Sequence, residues 1–305
     1  MKNQKLKGNF MILLSALICG ISFVVQSKGV EQIPPMTFNG IRSLLGGFAL
    51  LPIIYFIDKS KRKKGISVQP IDKNLIKGGI ICGVFLCAGT TLQTTGLVYT
   101  SPGKAGFITA LYMVIIPIIN LFFGKKPRLI ILVSVFLAVM GLYLMCIQSS
   151  LALNFGDLLI LMCSFVFAGH ILVIDHYSSK VDGVKLSCVH VFVCGIINIM
   201  MALLFEKPSI APLRSAWGTI AYSGIMSCSI AYTLQIVGQR YTDPTSTSIF
   251  MSLESVFATL STVILVALGL NITGGAMTMR EILGCVLMFI AIILVQLPKK
   301  STNIS

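Results

Sequence analysis

The chain has 305 residues, of which 55% are hydrophobic and only 11% charged, with a mean hydropathy of +0.91. A soluble domain carries about 25% charged residues, so this much apolar surface excludes a single water-soluble globule and calls for a lipid solvent. The net charge of +14 would suit a nucleic-acid partner, but its placement along the chain excludes that reading.

Helices rise about 1.5 Å per residue and the hydrocarbon layer is about 30 Å thick, so apolar runs of about 17 residues or more are candidate spans. Ten such runs are predicted, at roughly 9–26, 36–57, 75–98, 105–123, 128–147, 156–174, 185–205, 216–238, 246–268 and 281–297. The short alternating strands of a membrane barrel are not found. The first run follows Lys2, Lys5 and Lys7, as in a signal peptide, but it is long enough to span and no A-x-A site follows it. It is read as a retained first helix.

With the N-terminus placed in the cytoplasm, the segments on that side hold 18 of the 24 basic residues, seven of them between Lys59 and Lys77. The outer side holds five, and Arg42 alone lies within a span. The positive-inside rule then puts both termini in the cytoplasm, and the net charge becomes a topology signal. The "DKSKRKKG" loop at 58–65 is read as a solvated loop, with contact to anionic lipid as the alternative. The nine cysteines are scattered through apolar runs without a C-x-x-C, which suits small buried side chains.

One sentence is written twice. "TLQTTGLVYTSP" at 91–102 returns as "TLQIVGQRYTDP" at 233–244, an offset of 142 residues. The first copy ends the third run and opens the fourth; the second ends the eighth and opens the ninth. Five spans separate the copies, so the second crosses in the opposite direction. The expected fold is an all-α integral membrane protein with ten transmembrane helices as two inverted five-helix repeats, 1–150 and 151–305. Inverted repeats of this kind serve alternating access in many secondary transporters.

"GLVYTSPGKAGFITALYMVIIPII" and "GQRYTDPTSTSIFMSLESVFATL" together resemble the drug/metabolite transporter superfamily, specifically the EamA-like permeases. So do "NGIRSLLGGFALL" with its arginine, "GDLLILMCSFVFAGHILV" and "REILGCVLMFIAIIL". The resemblance spans essentially the whole chain. It implies a multi-pass protein of the plasma (inner or cytoplasmic) membrane that moves small molecules. Family members often carry Gly-Glu at the start of helices 5 and 10 and Glu-Pro in helix 9. Here those places read Gly124-Lys125, Gly275-Ala276 and Glu254-Ser255, so roles attached to the missing residues are not carried over.

The 142-residue offset pairs Tyr112 with Glu254. Each lies about nine residues into its run, close to the midplane, where inverted-repeat transporters hold their substrates. An ionisable group at that depth is costly and faces a cavity or a partner. Glu254 is the candidate for substrate binding or proton coupling, against a role in packing. Tyr112 offers a ring and a hydroxyl. Arg42 is read first as structural, snorkelling or pairing with a helix end, and second as a cavity residue. Gln93 and Gln235 are symmetry mates suited to interhelical hydrogen bonds or gate lining. His170 and His190 are read as packing residues. Tyr99, Tyr241, Pro102 and Pro244 mark a repeated hairpin, and Pro117 is predicted to kink its helix. "NIT" at 271–273 is a glycosylation pattern whose meaning depends on the host.

No Walker motif is present. The leading reading is a secondary transporter, permease or exporter, of small organic metabolites such as amino acids, with proton coupling and uncoupled facilitation both open. A lipid or polyprenyl-carrier flippase is the alternative. A membrane-embedded enzyme would need clustered His, Asp or Glu, which the sequence does not present, so no catalysis is expected. The expected partners are a small-molecule substrate and membrane lipid, with no nucleic acid, cofactor or metal.

Overall fold

The computed structural model describes residues 2–100, 102–124, 127–146, 154–267 and 278–297, and every regular element among them is helical. In chain order these are α1 (Lys2–Val30), α2 (Pro35–Lys63), α3 (Lys73–Leu97), α4 (Pro102–Ala110), α5 (Tyr112–Phe122), α6 (Leu129–Cys146) and α7 (Phe155–Ser178). Next come α8 (Gly183–Phe205), α9 (Ile210–Ser215), α10 (Trp217–Tyr222), a π-helical stretch (Ser223–Ala231), α11 (Tyr232–Gln239), α12 (Pro244–Met251), α13 (Leu253–Ala267) and α14 (Met279–Gln296). Eight helical spans among the described residues are long and apolar enough to cross a membrane. The helices α6 and α14 are apolar too and pack on each other, so closely that a Cβ at Gly141 would lie 2.7 Å from the Gly284 carbonyl oxygen.

Helix starts follow local chemistry. The side chain of Asp72 accepts a hydrogen bond from the Leu75 amide (2.8 Å), and that of Asp243 from the Ser246 amide (2.9 Å). Asn154 with Asp157, and Thr278 with Glu281, form capping boxes. Gly124 follows α5 with φ +74°, the left-handed stop that glycine supplies cheaply.

Three runs expected as single helices are interrupted. The run 105–123 divides into α4 and α5 at Leu111, and 246–268 into α12 and α13 at Ser252. The run 216–238 passes through the π-helical stretch. Hydropathy averages over such breaks because the residues on either side remain apolar. The short helix α9 was not anticipated, and α1 and α2 extend past their apolar runs by charged turns. The junction at 150/151, Lys125, the 271–273 pattern, Gly275-Ala276, and Lys299 and Lys300 lie outside the described residues.

The packing repeats itself. The helix α1 lies against α13, α11 and the π stretch, as α7 lies against α4, α5 and α3. The helix α2 lies against the π stretch as α8 lies against α3, while α2 with α8 and α6 with α14 pair across the pattern. The twice-written sentence makes this possible. The Tyr99 amide donates to the Gly96 carbonyl at 3.0 Å, and the Tyr241 amide to the Gly238 carbonyl at 3.0 Å. A Cβ at Gly96 would meet Ile160 at 2.7 Å and the Gly156 carbonyl oxygen at 3.0 Å. One at Gly238 would meet Ile12 at 2.7 Å and the Gly8 carbonyl oxygen at 2.9 Å. Next in line, Thr100 donates to Asp157 on α7 (2.6 Å) and Thr242 to Asn9 on α1 (2.8 Å). Each copy therefore stitches its half to the first span of the other.

The pair α2–α8 is fastened at both ends. The Glu206 carboxylate accepts the Met36 and Thr37 amides (2.8 and 2.7 Å) and the Thr37 hydroxyl (2.6 Å) at the start of α2. At the other end Lys61 meets Asp182 (2.8 Å), and Lys185 meets Asp58 (2.9 Å) and the Gln69 carbonyl (2.8 Å). Burial works against the Asp182 charge. The Lys61 ammonium and the Lys185 and Val184 amides prevail and hold its carboxyl below the usual range.

Candidate functional site

The interruptions fall at matching places. Leu111 (φ −59°, ψ −14°) and Ser252 (φ −62°, ψ −17°) keep right-handed helical backbone, but tighter three-residue bonds join the α bonds there, from the Val114 amide to the Leu111 carbonyl (2.8 Å) and from the Ser255 amide to the Ser252 carbonyl (3.3 Å). Tyr112 is the first residue of α5 and Glu254 the second of α13. The causes differ between the halves. Pro117 lies inside α5, where it has no amide to give and crowds the carbonyl four residues back. In the other half Ser248 and Ser252 donate to the carbonyls of Thr245 and Ile249 (2.8 Å each), side-chain bonds that bend helices.

These breaks gather charge and polarity. Glu254 is partly buried and lies in electrostatic range of Tyr112, Cys19, Cys163 and Arg42. No hydrogen bond or ion pair holds its carboxylate among the described residues. Tyr112 is 5% exposed and sits in the largest apolar cluster. Gln93 on α3 donates to the Thr109 hydroxyl (3.4 Å), one turn before Tyr112, with Cys163 alongside Thr109. The expected interhelical bond is thus present for Gln93. Gln235 is buried on α11, and no hydrogen bond joins it to the Glu254 group among the described residues.

Arg42 does not snorkel: it is 1% exposed. Its Nε donates to Asn39 Oδ1 (3.0 Å), Asn39 Nδ2 donates to Thr94 Oγ1 (2.9 Å), and Thr94 donates to the Thr90 carbonyl (2.8 Å). Its guanidinium lies over the Phe38 ring at 5.4 Å. The π stretch packs against this part of α2, where a Cβ at Gly224 would lie 2.8 Å from the Arg42 carbonyl oxygen. Extended π-helical turns are rare and concentrate at functional positions.

The sequence reading also missed a histidine pair. His170 and His190 stack with Nε2 atoms 3.1 Å apart, and the Tyr232 ring meets His190 edge-on. The signal for Asn39–Arg42 was available as a three-residue spacing on one helix face; nothing local announces the histidines' contact. Eight of the nine cysteines are buried, and no group of three or more potential metal ligands occurs among the described residues.

A helical membrane protein built twice over, with interrupted spans meeting at a charged centre, has the architecture of a membrane transporter. The chain belongs to the EamA-like transporter family, whose sequence profile matches it twice, over residues 6–147 and 154–297. It is 28% identical over 299 residues to an "uncharacterized transporter" of Archaeoglobus fulgidus, covering 96% of this chain and 87% of that one. It is 23% identical over 293 residues to the "uncharacterized inner membrane transporter YedA" of Escherichia coli K12, covering 93% and 88%. A solved crystal structure superimposes with a TM-score of 0.69, covering 93% of this chain and 96% of the other. At 17% sequence identity that likeness concerns the fold alone.

Proposed function

We propose that the protein is a ten-span secondary transporter of the plasma membrane, with both termini in the cytoplasm. By alternating access it exposes a midplane site between the repeats 1–150 and 151–305 to the two sides in turn. The cargo is a small organic metabolite, such as an amino acid or a related compound. Glu254 carries a coupling proton or holds the cargo, and Tyr112, Gln93 and Arg42 line the site, with Gln235 nearer its gate. The observation that supports this reading is the pair of interruptions at Leu111 and Ser252, one residue before Tyr112 and two residues before Glu254. Broken helices at a repeat interface are where inverted-repeat transporters bind their cargo. A membrane potential supplies about 2.3 kcal/mol per charge per 100 mV, enough for accumulation without ATP.

Metabolite profiling of medium and cytosol, in cells with the gene present and deleted, tests the reading. We expect at least one small organic metabolite to redistribute across the membrane on deletion. Profiles that match in both compartments would overturn it. A change confined to lipid-linked species would turn it toward a flippase.

A further inference from the structure

A second polar cluster forms where α3 meets α8. Cys87 on α3 and Cys194 on α8 are 4% and 0% exposed, and neither forms a disulfide. One amide nitrogen joins them: Asn198 Nδ2 lies 3.1 Å from Cys87 Sγ and 3.5 Å from Cys194 Sγ. That nitrogen also donates to the Cys194 carbonyl oxygen at 3.0 Å. A carbonyl only accepts, so it is the NH₂ edge of Asn198 that faces the sulfurs. The Thr91 hydroxyl donates to Asn198 Oδ1 (2.9 Å) and holds the side chain in this setting. Thiols are weak acceptors and anions strong ones. Two sulfurs turned toward one N–H donor are therefore placed to carry negative charge, the form in which cysteine binds metals.

A positive charge to balance it stands next to the pair. Ser43, the neighbour of Arg42 in the chain, has its hydroxyl 3.6 Å from Cys194 Sγ. The Arg42 relay ends at the same place on α3. Thr94 donates to the Thr90 carbonyl (2.8 Å), and the Thr90 hydroxyl lies 3.3 Å from the Cys87 carbonyl oxygen and 4.0 Å from Cys194 Sγ. The Arg42 Nε is spent on the neutral Asn39 oxygen, and its Nη1 is buried with no acceptor among the described residues. A guanidinium does not give up its proton, and an uncompensated charge in a dry interior is costly. The walls are apolar: Leu50, Leu86 and Val191 pack with the two cysteines. No third His, Cys, Asp or Glu completes a ligand set among the described residues, so the four-ligand geometry of structural zinc is not available there.

We propose that Cys87 and Cys194 bind one soft monovalent metal ion, copper(I) or silver(I), as a two-coordinate dithiolate. Soft thiolate ligands select such ions over hard ones. Binding breaks two S–H bonds, forms two metal–sulfur bonds and releases two protons to solvent. No electron moves, and the ion stays monovalent. Two thiolates and one such ion carry a single net negative charge, which the Arg42 guanidinium cancels. A divalent ion would make the set neutral and leave Arg42 uncompensated. Metal–thiolate bonds are about 2.3 Å long, so a linear ion asks its sulfurs to stand roughly 4.6 Å apart. That separation is open to two atoms lying 3.1 and 3.5 Å from one nitrogen. The helix α3 falls in the first family match and α8 in the second, so the bound ion ties one repeat to the other.

The full chain in detergent micelles, reduced and free of oxygen, tests it. Silver(I) is titrated against a competing chelator, and the metal kept per chain is measured by mass spectrometry. We expect wild type to hold one tight equivalent of silver(I). Cys87→Ser and Cys194→Ser should each weaken it by about a hundredfold or more, because a single thiolate cannot form the dithiolate. Cys228→Ser, on the π stretch, should change it by less than about threefold, and zinc(II) should bind wild type about a hundredfold more weakly than silver(I). X-ray absorption of wild type loaded with one copper(I) should show two sulfur neighbours and no nitrogen or oxygen, a readout that needs no variant to fold. Wild type that yields all its silver(I) to the chelator overturns the proposal. So does a tight equivalent that survives both substitutions, a copper environment of three sulfurs or of nitrogen, or a zinc(II) affinity that matches that of silver(I).

Discussion

The two repeats agree at their ends and part company in their middles. At the hairpins the chain spends the same residues on the same bonds: glycine for close approach, a tyrosine amide closing the turn at 3.0 Å, a threonine reaching across to the other half. One turn deeper the halves differ. The helix α3 runs unbroken, while its counterpart passes through nine π-helical residues. Tyr112 stands where the other half has Glu254. Duplication thus preserved what docks the halves together, and the centre, where identical residues would give a site of identical walls, was free to become chemically polar from one side to the other.

The largest effect should come from exchanging the middles. Glu254→Gln keeps shape and removes titration. We expect it to abolish uptake driven by a pH gradient in proteoliposomes, by tenfold or more, while exchange of substrate down its own gradient persists. Tyr112→Phe, at the matching point of the other repeat, should change either rate by no more than about fivefold, because it removes a single hydroxyl whose hydrogen bond to a cargo would be worth about 1 kcal/mol. Gradient-driven uptake that survives Glu254→Gln at the wild-type rate would make the two positions equivalent and erase the asymmetry.

A moderate effect is expected from the breaks. Pro117→Ala returns an amide to α5 that can donate to the Met113 carbonyl, and it removes the ring that crowds the turn after Leu111. Hydrogen exchange of the Leu111–Ile115 amides should slow severalfold, and transport should fall about threefold. Unchanged exchange would show that packing against α7, rather than the proline, sets the interruption. The serine-bent break at Ser252 should keep its exchange pattern in this variant.

The smallest effect lies outside the repeats' core. Asp182 has its carboxyl held below the usual value, so its pair with Lys61 stabilises the fold above the unfolded aspartate value of about 4. That contribution is lost as pH falls through the lower folded value. Asp182→Asn keeps the helix cap, since asparagine caps as well as aspartate. It should lower the melting temperature by a degree or two at pH 7 and by progressively less below pH 4. A difference that does not shrink on acidification would assign the role to the cap instead of the charge.

Hydropathy made the spans legible, because lipid demands uninterrupted apolar length whatever the tertiary packing. The hairpins were legible because Gly96, Tyr99 and Pro102 serve backbone geometry, and geometry tolerates few substitutes. The breaks were not. Leu111 and Ser252 are ordinary helical residues, and their conformation is set by a proline six residues on in one half and by serine hydroxyls in the other. Glu254 could be found by depth alone. The setting of Arg42 could not, since it depends on Thr94, 55 residues beyond Asn39. The meeting of His170 with His190 depends on how α7 and α8 lie together, which no spacing within either helix encodes.

The double fastening of α2 to α8 has a mechanical consequence. A pair tied by a carboxylate on helix amides at one end and by two ion pairs at the other cannot shear or splay without breaking several charge-assisted bonds at once. Because each of these helices belongs to a different half and they are each other's mates, they form an axle through the molecule. Rotation about it leaves every one of those bonds intact. In the alternating-access cycle proposed above, the helices that open and close are then those that swing around it, α1 with α13 and α7 with α4 and α5, so that Arg42, on the axle, stays still while Glu254 travels.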